Sequence, residues 1–181
     1  VGAGRLTRAA IAATATALAT TACEPAPDPE PTGGSGDYGV VARVGDGDSL
    51  TLRDGRKLRL LQVDAPELTT DCYGRAALRE LERLAGPGTR VRLVGDPALD
   101  ASDRYGRALR YVLVGRANVN VELVRRGAAS PYFFRSDRGR YAKALLDAVQ
   151  SARDRRAGYW GACPRAELNT GLGSLTGPQR P

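Results

Sequence analysis

The sequence contains no histidine. This absence excludes Ser-His-Asp triads, Cys-His pairs, and zinc or iron sites that depend on histidine ligands. A hydrolytic site in this chain must therefore be built from carboxylates, arginines, tyrosines or a hard metal ion bound by oxygen atoms. Long hydrophobic runs are also missing, because the apolar stretch at residues 9–22 is short and rich in alanine.

Lysine is almost absent as well, since Lys57 and Lys143 are the only two, and arginine supplies the remaining positive charge. The formal net charge is +7, and without Arg5 and Arg8 of a predicted leader it would be 7 − 2 = +5. A basic surface attracts phosphate polyanions. Many exported proteins are basic without binding any, so the charge permits a nucleic-acid partner but does not identify one.

The first 22 residues have the pattern of an export signal. Two arginines form a basic n-region, and residues 9–22 form a mildly apolar h-region that is too short for a stable membrane span. Cys23 follows small residues and resembles the cysteine of a bacterial lipoprotein box, although Thr20 stands where leucine is usual. We predict a signal peptide over 1–22 and a lipid anchor at Cys23, with simple cleavage and secretion as the alternative.

The next segment, 23–36, alternates proline with other residues and ends in glycine and serine. Such a composition is typical of a linker, here between the membrane and a domain on the extracellular side. We expect the folded domain at 37–164 and a disordered tail at 165–181. No feature indicates a dimer, so we expect a monomer.

Two further cysteines, Cys72 and Cys163, form an even pair in a chain that is expected to be exported. An even number of cysteines outside the cytoplasm indicates a disulfide. Two buried thiols are the alternative. A zinc site is disfavoured by the missing histidine and by the wide separation of the pair.

Hydrophobic periodicity predicts an α+β domain that is mainly β. Alternating residues indicate five short strands, and helical spacing indicates three helices, with Asp71, Asn118 and Asp137 as predicted N-caps. This combination fits a closed five-stranded OB-fold barrel, although composition alone would not single it out. The predicted strands are 40–44, 49–53, 57–63, 90–94 and 108–114, and the predicted helices are 73–85, 118–126 and 137–158.

Three segments carry residues suited to chemistry: D-G-D-S at 46–49, R-L-L-Q-V-D-A-P-E at 59–67 and D-R-Y-G-R at 103–107. Each could be an ordinary turn or strand end when taken alone. Together they supply carboxylates for a hard cation and arginines for a phosphate group. Those are the groups that phosphodiester hydrolysis needs in the absence of histidine.

In this order, the three segments resemble the active-site segments of the staphylococcal nuclease (thermonuclease) family. The resemblance runs from about Val40 to Trp160 and covers most of the expected domain. It implies the five-stranded OB-fold barrel with three helices. It also implies a calcium-dependent endonuclease that hydrolyses DNA and RNA and leaves 3′-phosphate ends.

The resemblance further implies a calcium site. The carboxylates of Asp48 and Asp64 would bind Ca²⁺, and the backbone carbonyl of Ala65 would add a ligand. The family often has threonine where Ala65 stands, but a carbonyl ligand tolerates that change. Few carboxylates and several waters suit a weak extracellular calcium site, with a dissociation constant of roughly 10⁻⁴–10⁻³ M.

The same resemblance assigns the catalytic groups. Glu67 would position or deprotonate the attacking water, and Arg59 and Arg107 would hold the phosphate. A guanidinium matches phosphate oxygens in pairs and stays charged at any relevant pH.

Substrate contacts are implied for Arg104 and Tyr105, and for an aromatic residue in the segment S-P-Y-F-F at 130–134. Ungapped counting places Phe133 where the family has a base-stacking tyrosine, and a shift by one gives Tyr132. The alternative is that these rings only pack the barrel.

Two different functions remain as alternatives. The domain could be a catalytically silent OB-type module that binds nucleic acid or protein at the cell surface. It could also be a surface-tethered adhesion domain with no calcium dependence. The presence of Asp48, Arg59, Asp64, Glu67 and Arg107 favours the enzyme.

Overall fold

A computed structural model describes residues 1–2 and 36–177. Almost all of the predicted signal peptide and linker, Cys23 included, lies outside these residues. No helix in the described part of the chain has the length and apolar character that a membrane crossing requires. The elements are β1 (Asp37–Val44), β2 (Ser49–Leu52), β3 (Lys57–Leu60), β4 (Val63–Asp64), α1 (Gly74–Ala85), β5 (Arg90–Val94), β6 (Ala108–Val114), β7 (Ala117–Asn118), α2 (Val119–Arg125), β8 (Ser130–Pro131), α3 (Ala142–Asp154), α4 (Tyr159–Ala162), β9 (Glu167–Asn169) and β10 (Gly173–Leu175).

The main sheet is a closed barrel. Its strands follow the order β3-β2-β1-β5-β6-β7, and a parallel pairing between β3 and β6 closes it. The other neighbours in the sheet are antiparallel. Three main helices, α1, α2 and α3, accompany the barrel, so the predicted α+β class and five-stranded OB-type barrel are confirmed.

Alternating apolar residues place the strands. Leu50 and Leu52 on β2 and Leu58 and Leu60 on β3 are buried, while the residues between them are more exposed. A strand turns successive side chains to opposite faces, so this period of two forces one face into the barrel. Burying each leucine contributes about 1.5–3 kcal/mol relative to exposure.

The helices form where apolar periodicity predicts them, but two of the three predicted N-caps are wrong. Asn118 caps α2, because its side chain accepts a hydrogen bond from the Val121 N–H at 3.2 Å. Asp71 does not cap α1, since its carboxylate accepts from the Glu67 N–H at 3.0 Å instead. Asp137 precedes α3 by several residues, because α3 begins only at Ala142.

The C-terminal segment 165–181, expected to be disordered, contains an antiparallel hairpin of β9 and β10. The expectation is wrong for the residues of these two strands, and residues 178–181 lie outside the described part of the chain. The hairpin is held by distant partners, such as the Phe133 N–H, which donates to the Thr170 carbonyl at 2.7 Å. Local sequence signals carry no information about such contacts.

A disulfide joins Cys72, just before α1, to Cys163, just after α4, across a sequence separation of 91 residues. Closing a loop of this size restricts the unfolded chain. We expect the Cys72→Ser/Cys163→Ser double variant to lose about 2–5 kcal/mol of unfolding free energy. Urea unfolding with and without reductant measures this loss. The double variant should not respond to reductant, and two free thiols in the unreduced wild type would contradict the prediction.

Candidate active site

The first two predicted segments meet at one end of the barrel. Ser49 on β2 pairs with Arg59 on β3, so Asp48 lies beside the arginine. The Arg59 guanidinium contacts both predicted metal ligands: Nη2 donates to Asp64 Oδ1 at 2.5 Å, and Nη1 forms an ion pair with Asp48 Oδ2. Two carboxylates that are separate in sequence therefore converge on one cationic group.

The glycine of the first segment allows this close packing. A Cβ on Gly47 would lie 2.5 Å from the Ala65 Cβ and 2.9 Å from the Ala77 Cβ. The backbone before Asp48 can therefore approach Ala65, just after β4, and Ala77 on α1 only because residue 47 has no side chain. This close contact was not evident from the turn composition of the segment.

Asp48 is 5 % exposed and is held by its neighbours. Its Oδ2 accepts a hydrogen bond from the Ala65 N–H at 2.8 Å, and its Oδ1 accepts from the Ser49 hydroxyl at 3.1 Å. Burial raises the pKa of Asp48 to about 7, and the positive charge of Arg59 only partly opposes this rise. A cation close to Asp48 would therefore stabilise the ionised form of its carboxyl group.

Burial acts in the opposite direction on Arg59, because it lowers the pKa of a cationic group. The charges of Asp48 and Asp64 outweigh this effect, so the net pKa of Arg59 is raised above its ordinary value. The guanidinium remains charged and supplies one positive charge to two carboxyl groups. The position between Asp48 and Asp64 is thus one where the protein stabilises positive charge.

The side-chain donors at this position are carboxylate oxygens, which suit a hard cation such as Ca²⁺ and not zinc or copper. Within the described residues, no group of three or more His, Cys, Asp or Glu side chains forms a candidate metal cluster. Asp48 and Asp64 would therefore hold the ion with help from backbone carbonyls, water or phosphate oxygens. That the Ala65 carbonyl is one of these ligands stays a prediction.

Arg107 reaches the same place from the third segment. Its Nε donates to Asp103 Oδ2 at 2.7 Å, and its Nη1 donates to the Ser49 hydroxyl at 3.2 Å. Burial would raise the pKa of Asp103, but hydrogen bonds from the Arg107 backbone and side chain and from the Tyr105 N–H lower it overall. The ionised Asp103 therefore fixes the Arg107 guanidinium, and Ser49 links it to Asp48.

A cleft of about 700 Å³ opens beside these groups. Tyr105 is 68 % exposed at the cleft, and its hydroxyl accepts a hydrogen bond from Arg104 Nη2 at 2.6 Å. Cationic and aromatic side chains thus share one concave surface. The predicted site residues that line it are Arg59, Asp64, Arg104, Tyr105, Arg107 and Tyr132.

Phe133 does not belong to this surface, so its predicted role in base stacking is wrong. Its side chain lies in the hydrophobic core with only 2 % exposure, which leaves no free ring face. The neighbouring Tyr132 and Phe134 line the cleft instead, and Phe134 is 52 % exposed. Phe133 has extended backbone dihedrals and precedes a 3-10 turn at Phe134–Ser136. Neighbours of an extended residue face away from it, so the burial of Phe133 identifies Tyr132 and Phe134 together.

Glu67 is exposed in the segment after β4 and is not among the residues that line the cleft. The residues that line the cleft include Arg59, Asp64 and Arg107, while Glu67 lies three residues along the chain from Asp64. Ser49 was not among the predicted site residues, although it bridges Arg107 and Asp48. Ser49 directly follows the D-G-D turn and pairs with Arg59, so the strand register identifies it as a neighbour of the site.

Comparison with known proteins identifies relatives of this chain. The family model described as "Staphylococcal nuclease homologue" matches residues 57–162. A protein named "Thermonuclease" from Staphylococcus intermedius is 32% identical over 133 residues, which cover 69% of this chain and 77% of that protein. An "Uncharacterized endonuclease" from Escherichia coli O157:H7 is 36% identical over 130 residues, covering 68% of this chain and 76% of that protein.

"Endonuclease YhcR" from Bacillus subtilis (strain 168) is 33% identical over 150 residues. That match covers 73% of this chain but only 12% of the relative, so the similarity concerns one region of a much longer protein. The names of these relatives indicate a hydrolase that acts on nucleic acids. Since the family model spans more than half of the sequence, the chain belongs to the staphylococcal nuclease homologue family.

Proposed function

We propose that the protein is a calcium-dependent endonuclease that hydrolyses phosphodiester bonds of DNA and RNA and leaves 3′-phosphate ends. The observation that carries this proposal is the convergence of Asp48 and Asp64 on one cationic position at a cleft that Arg59 and Arg107 border. The carboxylates provide for a hard cation, and the arginines provide for a phosphate group.

Ca²⁺ bound by Asp48 and Asp64 would supply positive charge against the phosphate oxygens. Arg107 would hold the same phosphate with its guanidinium, and Arg59 would join it once Ca²⁺ has replaced Arg59 as the partner of Asp48 and Asp64. Both arginines would stabilise the charge that accumulates as water attacks. Asp103 keeps the Arg107 fork in place, so its orientation is set before substrate binds. Glu67 would position or deprotonate the attacking water from the exposed segment after β4.

The aromatic lining of the cleft supports a substrate without sequence preference. Tyr105, Tyr132 and Phe134 line it. Every base has a flat face, so aromatic side chains hold DNA and RNA bases alike without reading their edges. This surface fits single-stranded segments of either nucleic acid.

Phe134→Ala is expected to weaken substrate binding by about 1–3 kcal/mol, the usual cost of losing one stacked base. The loss should appear as a higher KM at nearly unchanged kcat in steady-state cleavage of a DNA oligonucleotide. Phe133→Ala is the matched comparison, because it removes a core ring and should instead cost about 3–5 kcal/mol of stability. If Phe133→Ala raised KM and Phe134→Ala did not, the assignment of the stacking surface would be reversed.

The proposed location is the extracellular side of the cell membrane, with a lipid anchor at Cys23, and the proposed state is a monomer. The Cys72–Cys163 disulfide supports an oxidising compartment. Metabolic lipid labelling of wild type and Cys23→Ala tests the anchor. Labelling should be lost in the variant, whereas equal labelling of both would refute attachment at Cys23.

The proposed activity is tested by incubating the folded wild-type protein with DNA and with RNA, in calcium or in a chelator. Both nucleic acids should be cut only in calcium. A polynucleotide kinase should label the products directly at their 5′ ends, because cleavage that leaves a 3′-phosphate leaves a free 5′-hydroxyl. Glu67→Gln should cut far more slowly. Binding of nucleic acid without any cleavage would favour a silent OB-type module instead.

A further inference from the structure

The C-terminal hairpin of β9 and β10 contacts the predicted metal ligand Asp64. The Ser174 N–H donates to Asp64 Oδ2 at 2.9 Å, and the Ser174 hydroxyl donates to the Asp64 backbone carbonyl. Ser174 itself is buried. The matched family region ends at residue 162, so these contacts come from a part of the chain beyond it.

The two oxygens of the Asp64 carboxylate have different partners. Oδ2 accepts from the Ser174 backbone, and Oδ1 accepts from Arg59 Nη2 at 2.5 Å. The hairpin therefore fixes the rotation of the carboxylate, because it occupies one oxygen and leaves the other facing the cationic position next to Asp48. Hydrogen bonds to metal-binding carboxylates commonly set their orientation in this way.

Glycine is required at the neighbouring position. Gly173 has φ +83°, and a Cβ there would lie 2.4 Å from Asp64 Oδ2. Any side chain at this residue would be strained and would also displace the carboxylate. The hairpin backbone thus approaches Asp64 as closely as a residue without a side chain permits.

Cys72 holds this segment at both ends. Its disulfide fixes Cys163, which precedes the hairpin, and its N–H donates to the carbonyl of Gly177, which follows it, at 2.8 Å. The Thr170 carbonyl between the two strands accepts from the Phe133 N–H. The hairpin is therefore held at three points, and its contact with Asp64 can restrict the orientation of that carboxylate.

We infer that the hairpin is a positioning element of the calcium site, with Gly173 and Ser174 orienting the Asp64 carboxylate for the metal ion. This inference rests on the proposed calcium-dependent function. It assigns to residues 173–174 an effect on calcium affinity that a merely structural hairpin would not have.

The test measures calcium binding by isothermal titration calorimetry on full-length variants, without substrate. Gly173→Ala should raise the calcium dissociation constant about 10–100-fold, the usual effect of removing a group that supports a metal ligand. Ser174→Ala keeps the N–H donor and should cause a smaller rise. The calcium concentration for half-maximal cleavage should shift in parallel.

Gly88→Ala is the matched control. Gly88 has φ +88°, nearly that of Gly173, but a Cβ there would meet no atom within 4 Å. The control therefore reproduces the backbone strain without the contact to Asp64, and thermal unfolding verifies that both variants are folded. A folded Gly173→Ala that binds calcium as tightly as Gly88→Ala would overturn the inference.

If Gly173→Ala does not fold, Ser174→Ala decides: calcium affinity equal to that of wild type would overturn the inference, and weakened affinity would support it. Failure of the proposed function has a different signature. A wild-type protein that binds calcium but cuts nothing overturns the nuclease activity, and the calcium affinities of Gly173→Ala and Ser174→Ala still decide the positioning role. A wild type that binds no calcium overturns both.

Discussion

Arg107→Ala is expected to lower kcat about 10²–10³-fold, the usual loss when one donor to the transition-state charge is removed. Arg107 lines the cleft and is fixed by Asp103, so its guanidinium is oriented before substrate arrives. It contacts Asp48 only through Ser49, so the calcium affinity should change little. Single-turnover cleavage of DNA at saturating calcium measures the chemical step directly.

Arg92→Ala is the matched control, because Arg92 is an exposed arginine on β5 that does not line the cleft. It removes the same charge and should leave kcat near the wild-type value. If Arg107→Ala and Arg92→Ala lowered kcat equally, the effect of Arg107 would be general electrostatics and not contact with the phosphate.

Arg59→Ala is expected to destabilise the calcium-free protein by about 3–5 kcal/mol, as breaking a buried ion pair from one side usually does. The variant leaves Asp48 and Asp64 close together, and Asp48 is almost fully buried. Calcium should restore much of this loss, because it replaces the missing positive charge. Calcium at 100 times its dissociation constant contributes about 2.7 kcal/mol. Urea unfolding in calcium and in chelator measures both effects.

Arg56→Ala provides the comparison for this prediction. Arg56 forms ion pairs with Asp37 and Asp54, whose side chains are well exposed. Exposed pairs of this kind contribute about 0–1 kcal/mol, so the variant should lose little stability and respond to calcium as wild type does. If calcium stabilised neither Arg59→Ala nor Arg56→Ala, the two carboxylates would not form the cation site.

The strands of the barrel could be predicted from local patterns, whereas its closure by β3 and β6 pairs residues that are distant in sequence. Leu58 and Leu60 alternate with polar residues, and that pattern alone assigns β3. N-caps were predicted less well. Asp71 precedes α1 and has the right chemistry for a cap, but its carboxylate binds the Glu67 N–H instead. The residue type alone does not show whether an aspartate will accept from an N–H of the following helix or from another N–H nearby.

The site could be predicted in part for a related reason. Asp64 and Arg59 lie on one short segment, and the strand register adds Asp48. The hairpin could not be predicted, because its order depends on Asp64 and Phe133, which are distant in sequence. Phe133 was misassigned because counting residues ignores which face of the chain is buried.

The most direct test of the proposed calcium-dependent site is a calcium titration. It follows cleavage of DNA and RNA by the folded wild-type protein. We predict no cleavage in chelator and half-maximal cleavage at roughly 10⁻⁴–10⁻³ M calcium, the range of weak extracellular sites. Cleavage that persists unchanged in chelator, or folded protein that cuts neither substrate at saturating calcium, would contradict it.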